Sequence, residues 1–157
     1  MSNIAIIGGG PGGMMAAVAA AQKGHHIDLY ESNEKLGKKL YITGKGRCNL
    51  TNAIDIGDYF DSIVHNHQFM YSALYSFTNQ DFMAFMEKNG VPLKIERGDR
   101  VFPLSDKSSD VISGFKTALK KNKCNIFLNK KVENLLIADR VIKGIVLEQG
   151  EIRDYDA

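Results

Sequence analysis

The chain opens on a short apolar run, Asn3 to Ile7, that stops at a cluster of glycines and passes into an alanine-rich stretch from Pro11 to Lys23. Such a run bounded by turn residues predicts a buried strand, and the alanines predict a helix. Gly24 can end that helix. Beyond it, Ile27 and Leu29 alternate with Asp28 and Tyr30 in a second strand that closes at Glu31. Residues 1–31 are therefore expected to form one βαβ unit. No sustained period follows across residues 32–66, and a connection this long in a compact domain is usually functional or disordered. Over residues 67–123 we expect a helical region. Phe69, Ala73, Leu74 and Phe77 share one helical face, and Phe82, Phe85 and Met86 share another. Thr78 and Asp81 have the spacing of a capping pair, and Gly90 sits where a C-terminal cap would. Val91 to Glu96 and Arg100 to Phe102 read as weak strands around a turn at Gly98 and Asp99. Val111, Ile112, Phe115, Ala118 and Leu119 line a third helix. Over residues 124–157 the pattern predicts a short buried strand, Asn125 to Leu128, then an antiparallel meander from Val132 with turns near Asp139 and Gly150.

The first turn carries specific chemistry. Gly8, Gly10 and Gly13 satisfy GxGxxG, a weak signal alone but an informative one between a strand and a helix. Gly8 permits the tight turn, Gly10 lets backbone approach a diphosphate, and Gly13 lets helix and strand pack closely. Pro11 and Gly12 complete the turn, and the diphosphate meets the unpaired amides and positive dipole of the helix N-terminus. Glu31 ends the second strand about 20 residues further on, where a carboxylate accepts from ribose hydroxyls. A carboxylate there repels a 2′-phosphate and disfavours NADP as the occupant. We expect an α/β protein with a Rossmann-like FAD/NAD(P)-binding fold: a parallel sheet with flanking helices and a small antiparallel β-meander. The turn does not separate FAD from NAD, because both present an ADP half to it.

At 157 residues, 44% of them hydrophobic, the chain is long enough for one domain with its own core. Twenty Lys and Arg against 18 Asp and Glu leave a net charge of +2, too small to make nucleic acid or a membrane the main partner. The lysines at 120, 121 and 123 close a helix at its negative end, which accounts for them without nucleic acid. No apolar stretch approaches the roughly 20 residues of a membrane span, and the start lacks the features of a signal peptide. A cytoplasmic location is expected. The two cysteines, Cys48 and Cys124, form no CxxC, which argues against structural zinc or a dithiol centre. His25, His26, His65 and His67 show no metal-ligand spacing, so no metal site is expected.

The loop from Gly37 to Asn52 reads GKKLYITGKGRCNLTN. Its Lys38, Lys39, Lys45 and Arg47 lie among glycines and the hydroxyls of Thr43 and Thr51, an arrangement that suits either an anion-wrapping loop or a mobile, solvated one. KLGKKLYITGKGRCNLTN is similar to the signature of a bacterial family within the two-dinucleotide-fold flavoproteins, the family that includes the bile-acid-pathway flavoprotein BaiN and aminoacetone oxidase-like proteins. The run Gly46, Arg47, Cys48, Asn49 followed by Thr51 and Asn52 is specific to it. Arg100, Val101, Phe102 and Pro103 resemble the family's GRVFP stretch, with Asp99 in place of its glycine.

The resemblance implies FAD as cofactor. It also implies that Glu31 holds the adenosine ribose, that Lys39 falls where related flavoproteins place an arginine near the cofactor, and that Thr43 to Asn49, including Gly46, Arg47, Cys48 and Asn49, line the flavin side. Val132 falls where such proteins contact adenine through backbone atoms; on pattern alone it is a core valine. Cys48 reads as a small packing residue or a neighbour of the flavin. The family's chains run to roughly twice this length or more, beyond one ordinary domain. The chain therefore reads as a C-terminally truncated, N-terminal part of an FAD-binding domain, ending just before a further strand. The function implied is that of a flavin-dependent oxidoreductase acting on a small molecule, with NAD(P)H a candidate electron donor, and the fragment alone inactive. A non-catalytic nucleotide-binding module and a tRNA-modifying flavoprotein are the alternatives. Catalytic residues, substrate and oligomeric state are not legible.

Overall fold

The computed structural model describes residues 1–157, except for the side chains at positions 43 and 44. In chain order its elements are β1 (Asn3–Ile7), α1 (Pro11–Gln22), β2 (His26–Tyr30), α2 (Lys38–Ile42), β3 (Thr51–Asn52), α3 (Ile56–Tyr59), α4 (Tyr71–Ser76) and α5 (Asn79–Lys88). They continue with β4 (Leu93–Glu96), β5 (Arg100–Pro103), α6 (Ser108–Lys121), β6 (Asn125–Phe127), β7 (Val132–Ala138), β8 (Val141–Leu147) and β9 (Ile152–Asp154). The chain divides into two compact units: Met1–Tyr41 with Phe115–Ala157, and Ile42–Gly114.

In the first unit β1, β2 and β6 form a parallel sheet in the order β1-β2-β6. Parallel neighbours need a crossover, and α1 supplies it between β1 and β2. The alternation along β2 divides its side chains between two faces. Ile27 and Leu29 on one face are buried, as are Met14, Ala17 and Val18 of α1. Burying each larger aliphatic side chain of this set is worth roughly 1.5–3 kcal/mol. On the other face Tyr30 joins Ile145, Leu147 and Tyr155, with Ala5, Phe127 and Val132 packed against them. The meander β7-β8-β9 is antiparallel. Its first turn has Ala138 opposite Val141, with Asp139 and Arg140 both at positive φ (51° and 61°), the geometry that suits a two-residue hairpin loop to strand twist. The turns near Asp139 and Gly150 thus fall where the pattern put them.

The expected buried strand at Asn125 to Leu128 is corrected in character. β6 is an edge strand, with Ile126 37% and Leu128 38% exposed, and an open groove of about 810 Å³ runs beside it, lined by Leu36, Ile126, Leu128 and the lysines at 116, 120 and 123. An apolar run cannot reveal on which edges it lacks a neighbour.

The second unit holds a three-stranded antiparallel sheet in the order β3-β5-β4. The hairpin β4–β5 turns through Gly98 (φ 75°) and Asp99 (φ 56°), so the aspartate adopts the left-handed conformation that a glycine would enter more freely. Thr78 and Asp81 form the expected capping box on α5, and Met86 is fully buried. One helical face is corrected. α4 spans only Tyr71–Ser76, and Phe69 is 85% exposed. The buried ring is Phe60, which stacks on Tyr71 at 4.2 Å and on Tyr75 at 5.6 Å. Phe69 precedes this six-residue helix and Phe77 follows it, so an element this short holds too few of the four expected positions to form their face, and Tyr71 and Tyr75 pack instead. For the same reason the region 32–66 showed no period: it is built of elements of five residues or fewer.

Candidate cofactor site

The glycine turn is assembled from both of its flanks. Gly8 has φ 101°, in the left-handed region, and its amide donates to the Tyr30 carbonyl at 2.8 Å. A Cβ on Gly13 would lie 1.9 Å from the Gly8 carbonyl oxygen, so only glycine lets α1 start this close to the end of β1. Gly9 is less rigidly constrained: a Cβ there would meet the end of the Leu36 side chain, which can shift, and would lie 3.0 Å from a Glu31 carboxylate oxygen. Gly10 differs. It caps α1 in an extended conformation (φ −75°, ψ 177°), and a Cβ there would meet nothing within 4 Å. Space outside Gly10 and Gly12 is open.

That open space faces a helix start with unused donors. The first turn of α1 has no capping side chain and no acidic residue, and Pro11 at its first position has no N–H to lose. Unpaired amides and the helix dipole favour an anion there. A diphosphate fits: the turn leaves room where its oxygens would lie and the helix start supplies the donors.

Glu31 closes the other side. It is 8% exposed and accepts from the Gly9 amide (2.8 Å), the Asn33 amide (2.8 Å), the Asn33 side chain (2.6 Å) and the Ser32 hydroxyl (3.2 Å). Burial opposes its charge, but the bonds from Asn33, Gly9 and Ser32 outweigh burial and hold its carboxyl below the ordinary range. Glu31 is therefore an anion at neutral pH. Each carboxylate oxygen offers about two acceptor positions; Oε1 gathers three of the four donors and Oε2 takes only the Gly9 amide, so Oε2 keeps one position open.

Gly8, Gly10, Pro11, Gly12, Gly13 and Glu31 thus converge. Val132 lies in the same unit. It starts β7 opposite Leu147 and packs against the Tyr30 cluster, two residues after Lys130, whose amide donates to the Glu31 carbonyl at 3.0 Å. Lys39 is exposed on α2. Thr43, as a side-chain ligand, lies outside the described residues.

Gly46, Arg47, Cys48 and Asn49 belong to the second unit. Gly46 and Cys48 both have positive φ (87° and 61°). Cys48 is buried, and burial pushes its thiol up, away from the thiolate. Arg47 bonds Asp106 through Nε at 2.9 Å, pairs with Glu96, and lies over the Phe102 ring at 4.4 Å. Lys94 completes the cluster at 2.6 Å from Asp106. The guanidinium of Arg47, implied to line the flavin side, is thus engaged by two carboxylates. Asn49, oriented so that its amide donates, bonds the carbonyls of Thr51 (3.1 Å) and Val101 (3.0 Å).

Gly9, Ser32, Asn33 and Leu36 were missed. The GxGxxG template leaves the second position free, and only the fold shows that Gly9 must pass between Leu36 and Glu31. Among the described residues, no group of three His, Cys, Asp or Glu is placed to hold a metal, and no helix is long and apolar enough to cross a membrane.

The chain matches the family model described as HI0933-like protein Rossmann domain over residues 2–156. It is 34% identical over 150 residues to the 3-dehydro-bile acid delta(4,6)-reductase of Clostridium scindens, covering 94% of this chain and 35% of the reductase. It is 38% identical over 87 residues to the ribosomal RNA dihydrouridine synthase of Escherichia coli, covering 55% of this chain and 21% of the synthase. Among solved structures, the 3-ketosteroid-delta4-(5alpha)-dehydrogenase of Rhodococcus jostii RHA1 superimposes with a TM-score of 0.71 at 12% identity, over 96% of this chain and 43% of the dehydrogenase. The chain spans about a third of the reductase's length. With the glycine turn, the buried Glu31 carboxylate beside it and this match over residues 2–156, the chain belongs to the HI0933-like family and is its FAD-binding Rossmann domain, of the kind found in flavin oxidoreductases.

Proposed function

We propose that this chain holds the ADP half of FAD in an oxidoreductase that reduces a carbon–carbon double bond conjugated to a carbonyl in a small molecule. The observation that carries the cofactor part is the open space at Gly10 facing the uncapped start of α1, with the charged Glu31 behind it. FAD supplies hydride transfer when bound. The chain's own residues bind and orient. Amides of the helix start would hydrogen-bond the diphosphate, Glu31 would accept from the ribose, and backbone at Val132 would hold the adenine. In the second unit, Arg47 orders the segment Gly46 to Asn49 through Glu96 and Asp106 and is a positioning residue for the flavin side.

The substrate class draws on two relatives. One is named a delta(4,6)-reductase of a 3-dehydro compound, the other a dihydrouridine synthase. Both names describe hydrogen added across a double bond conjugated to a carbonyl. The small-molecule reading is supported by the longer match to the reductase and by the near-balanced charge of +2. The match to the rRNA enzyme supports a second reading, with a uridine in RNA as the substrate. NAD(P)H is the electron donor in either reading, and two free thiols suit a cytoplasmic setting. The test is anaerobic and uses the protein as isolated from its source, since the 157-residue stretch alone is expected to be inactive. FAD-loaded protein reduced by NADH or NADPH is offered a 3-oxo-Δ4,6 steroid or a uridine-containing rRNA fragment. Reoxidation by the steroid supports the first reading and by the RNA the second. FAD bound without reoxidation by either leaves a nucleotide-binding module.

A further inference from the structure

We infer that Tyr30 and Tyr155, linked between Arg153 and Asp28, are positioning residues that set the glycine turn for the cofactor diphosphate; this rests on the cofactor site proposed above. The two hydroxyls lie 2.6 Å apart, in side chains 1% and 9% exposed. Arg153 Nη1 donates to the Tyr30 hydroxyl at 3.0 Å, and the Tyr155 hydroxyl donates to Asp28 Oδ2 at 2.6 Å. A guanidinium only donates and a carboxylate only accepts, which fixes the direction of every bond. Tyr30 takes from Arg153 and gives to Tyr155, and Tyr155 gives to Asp28. Burial, then the Asp28 carboxylate, push the Tyr155 phenol well above its ordinary range, so it remains a donor. The other Asp28 oxygen accepts from the Asn125 side chain at 2.8 Å. The Tyr30 ring stacks on Phe127 at 4.9 Å.

Tyr30 joins this relay to the turn. Its side chain ends in the relay, while its carbonyl accepts the Gly8 amide at 2.8 Å, and the next residue, Glu31, accepts the Gly9 amide at 2.8 Å. The segment that carries Arg153 and Tyr155 also grips β1. The Asp156 amide donates to the Asn3 carbonyl (2.9 Å), the Asn3 amide to the Asp156 carboxylate (2.8 Å), and the Ala5 amide to the Ala157 carbonyl (2.9 Å). One short segment therefore holds both β1, which leads into the turn, and β2, whose end hydrogen-bonds it. Two phenylalanines would fill the same volume without burying hydroxyls. Two buried hydroxyls satisfied by each other and by partly exposed charged partners at either end instead enforce a single arrangement. Binding at the turn needs that, because its donors come from backbone that no side chain can readjust.

The test compares Tyr30→Phe, Tyr155→Phe and the double variant with the unaltered chain, all well below their melting temperatures. The readouts are amide exchange at Gly8 and Gly9 and ADP binding by calorimetry. Each single variant is expected to speed exchange at both glycines and weaken ADP about three- to tenfold, the effect of one hydrogen bond. The double variant is expected to be no worse than either single one, because the hydroxyls act as a unit. Leu119→Val, a core change in α6, is expected to lower stability while leaving both readouts unmoved. Asp28→Asn is the further route if a tyrosine variant does not fold. Folded variants with unchanged exchange and unchanged ADP affinity would overturn the inference. If the unaltered chain does not bind ADP, the cofactor-site reading fails, and the exchange rates at Gly8 and Gly9 alone decide the positioning role.

Discussion

Glu31 serves the turn before it serves any ligand. Its Oε2 holds the Gly9 amide, and its Oε1 gathers three donors from Ser32 and Asn33. Glu31→Ala is therefore expected to weaken FAD about tenfold or more, as loss of a charge-assisted bond does, and also to lower the melting temperature. Glu31→Gln separates the two effects through pH. The native carboxyl sits below its unfolded value, so its contribution is present above about pH 4.5 and is lost as pH falls through the lower, folded value. Thermal melts from about pH 6 to about pH 3 should show that loss in the native chain and not in Glu31→Gln. Identical acid profiles would mean that the carboxylate is not held as described. Gly10 and Gly13 make a second contrast. Gly13→Ala drives a Cβ into the Gly8 carbonyl and is expected to cost roughly 1–3 kcal/mol or more of stability. Gly10→Ser meets open space and can cap α1, adding a few tenths of a kcal/mol. Its hydroxyl then occupies the amides the diphosphate needs. Stability held or raised with FAD affinity lost is the expected result, read by melting and titration of the same samples.

Legibility at the scale of elements followed length. The run β1-α1-β2, the capping box of α5 and the buried face of α6 were all readable, because each repeats its period or ends on a residue with a specific backbone demand. α4 was not, since a six-residue helix beside the stacked Phe60 and Tyr75 is set by ring packing that only the fold brings together. In the candidate site, Gly8, Gly13 and Glu31 were legible from spacing. The clamp of Glu31 on Gly9 was not, and neither was the pairing of Arg47 with Glu96 and Asp106, residues far along the chain. Arg47 orders the end of its loop through a planar fork and a ring contact with Phe102. Lysine keeps the charge but not that geometry. Arg47→Lys should therefore speed amide exchange across residues 46–50 while leaving exchange in α5 unchanged. Equal exchange in both proteins would make Arg47 a solvated surface charge.

The whole chain forms the parallel sheet and meander of an FAD-binding Rossmann domain, yet it spans about a third of the reductase it resembles. Fold likeness at low identity extends to enzymes of several activities, so the chemistry is decided by the site rather than by the architecture. The claim on which the rest depends is that FAD binds here through its ADP half at the Gly8 to Gly13 turn. Equilibrium titration of the 157-residue chain with FAD, followed by flavin fluorescence and repeated in excess ADP, tests it most directly. The expected result is weak saturable binding of FAD that ADP displaces and that Gly10→Val abolishes while the variant stays folded. Binding that persists in excess ADP and in folded Gly10→Val, or no FAD binding by the native chain, would contradict it.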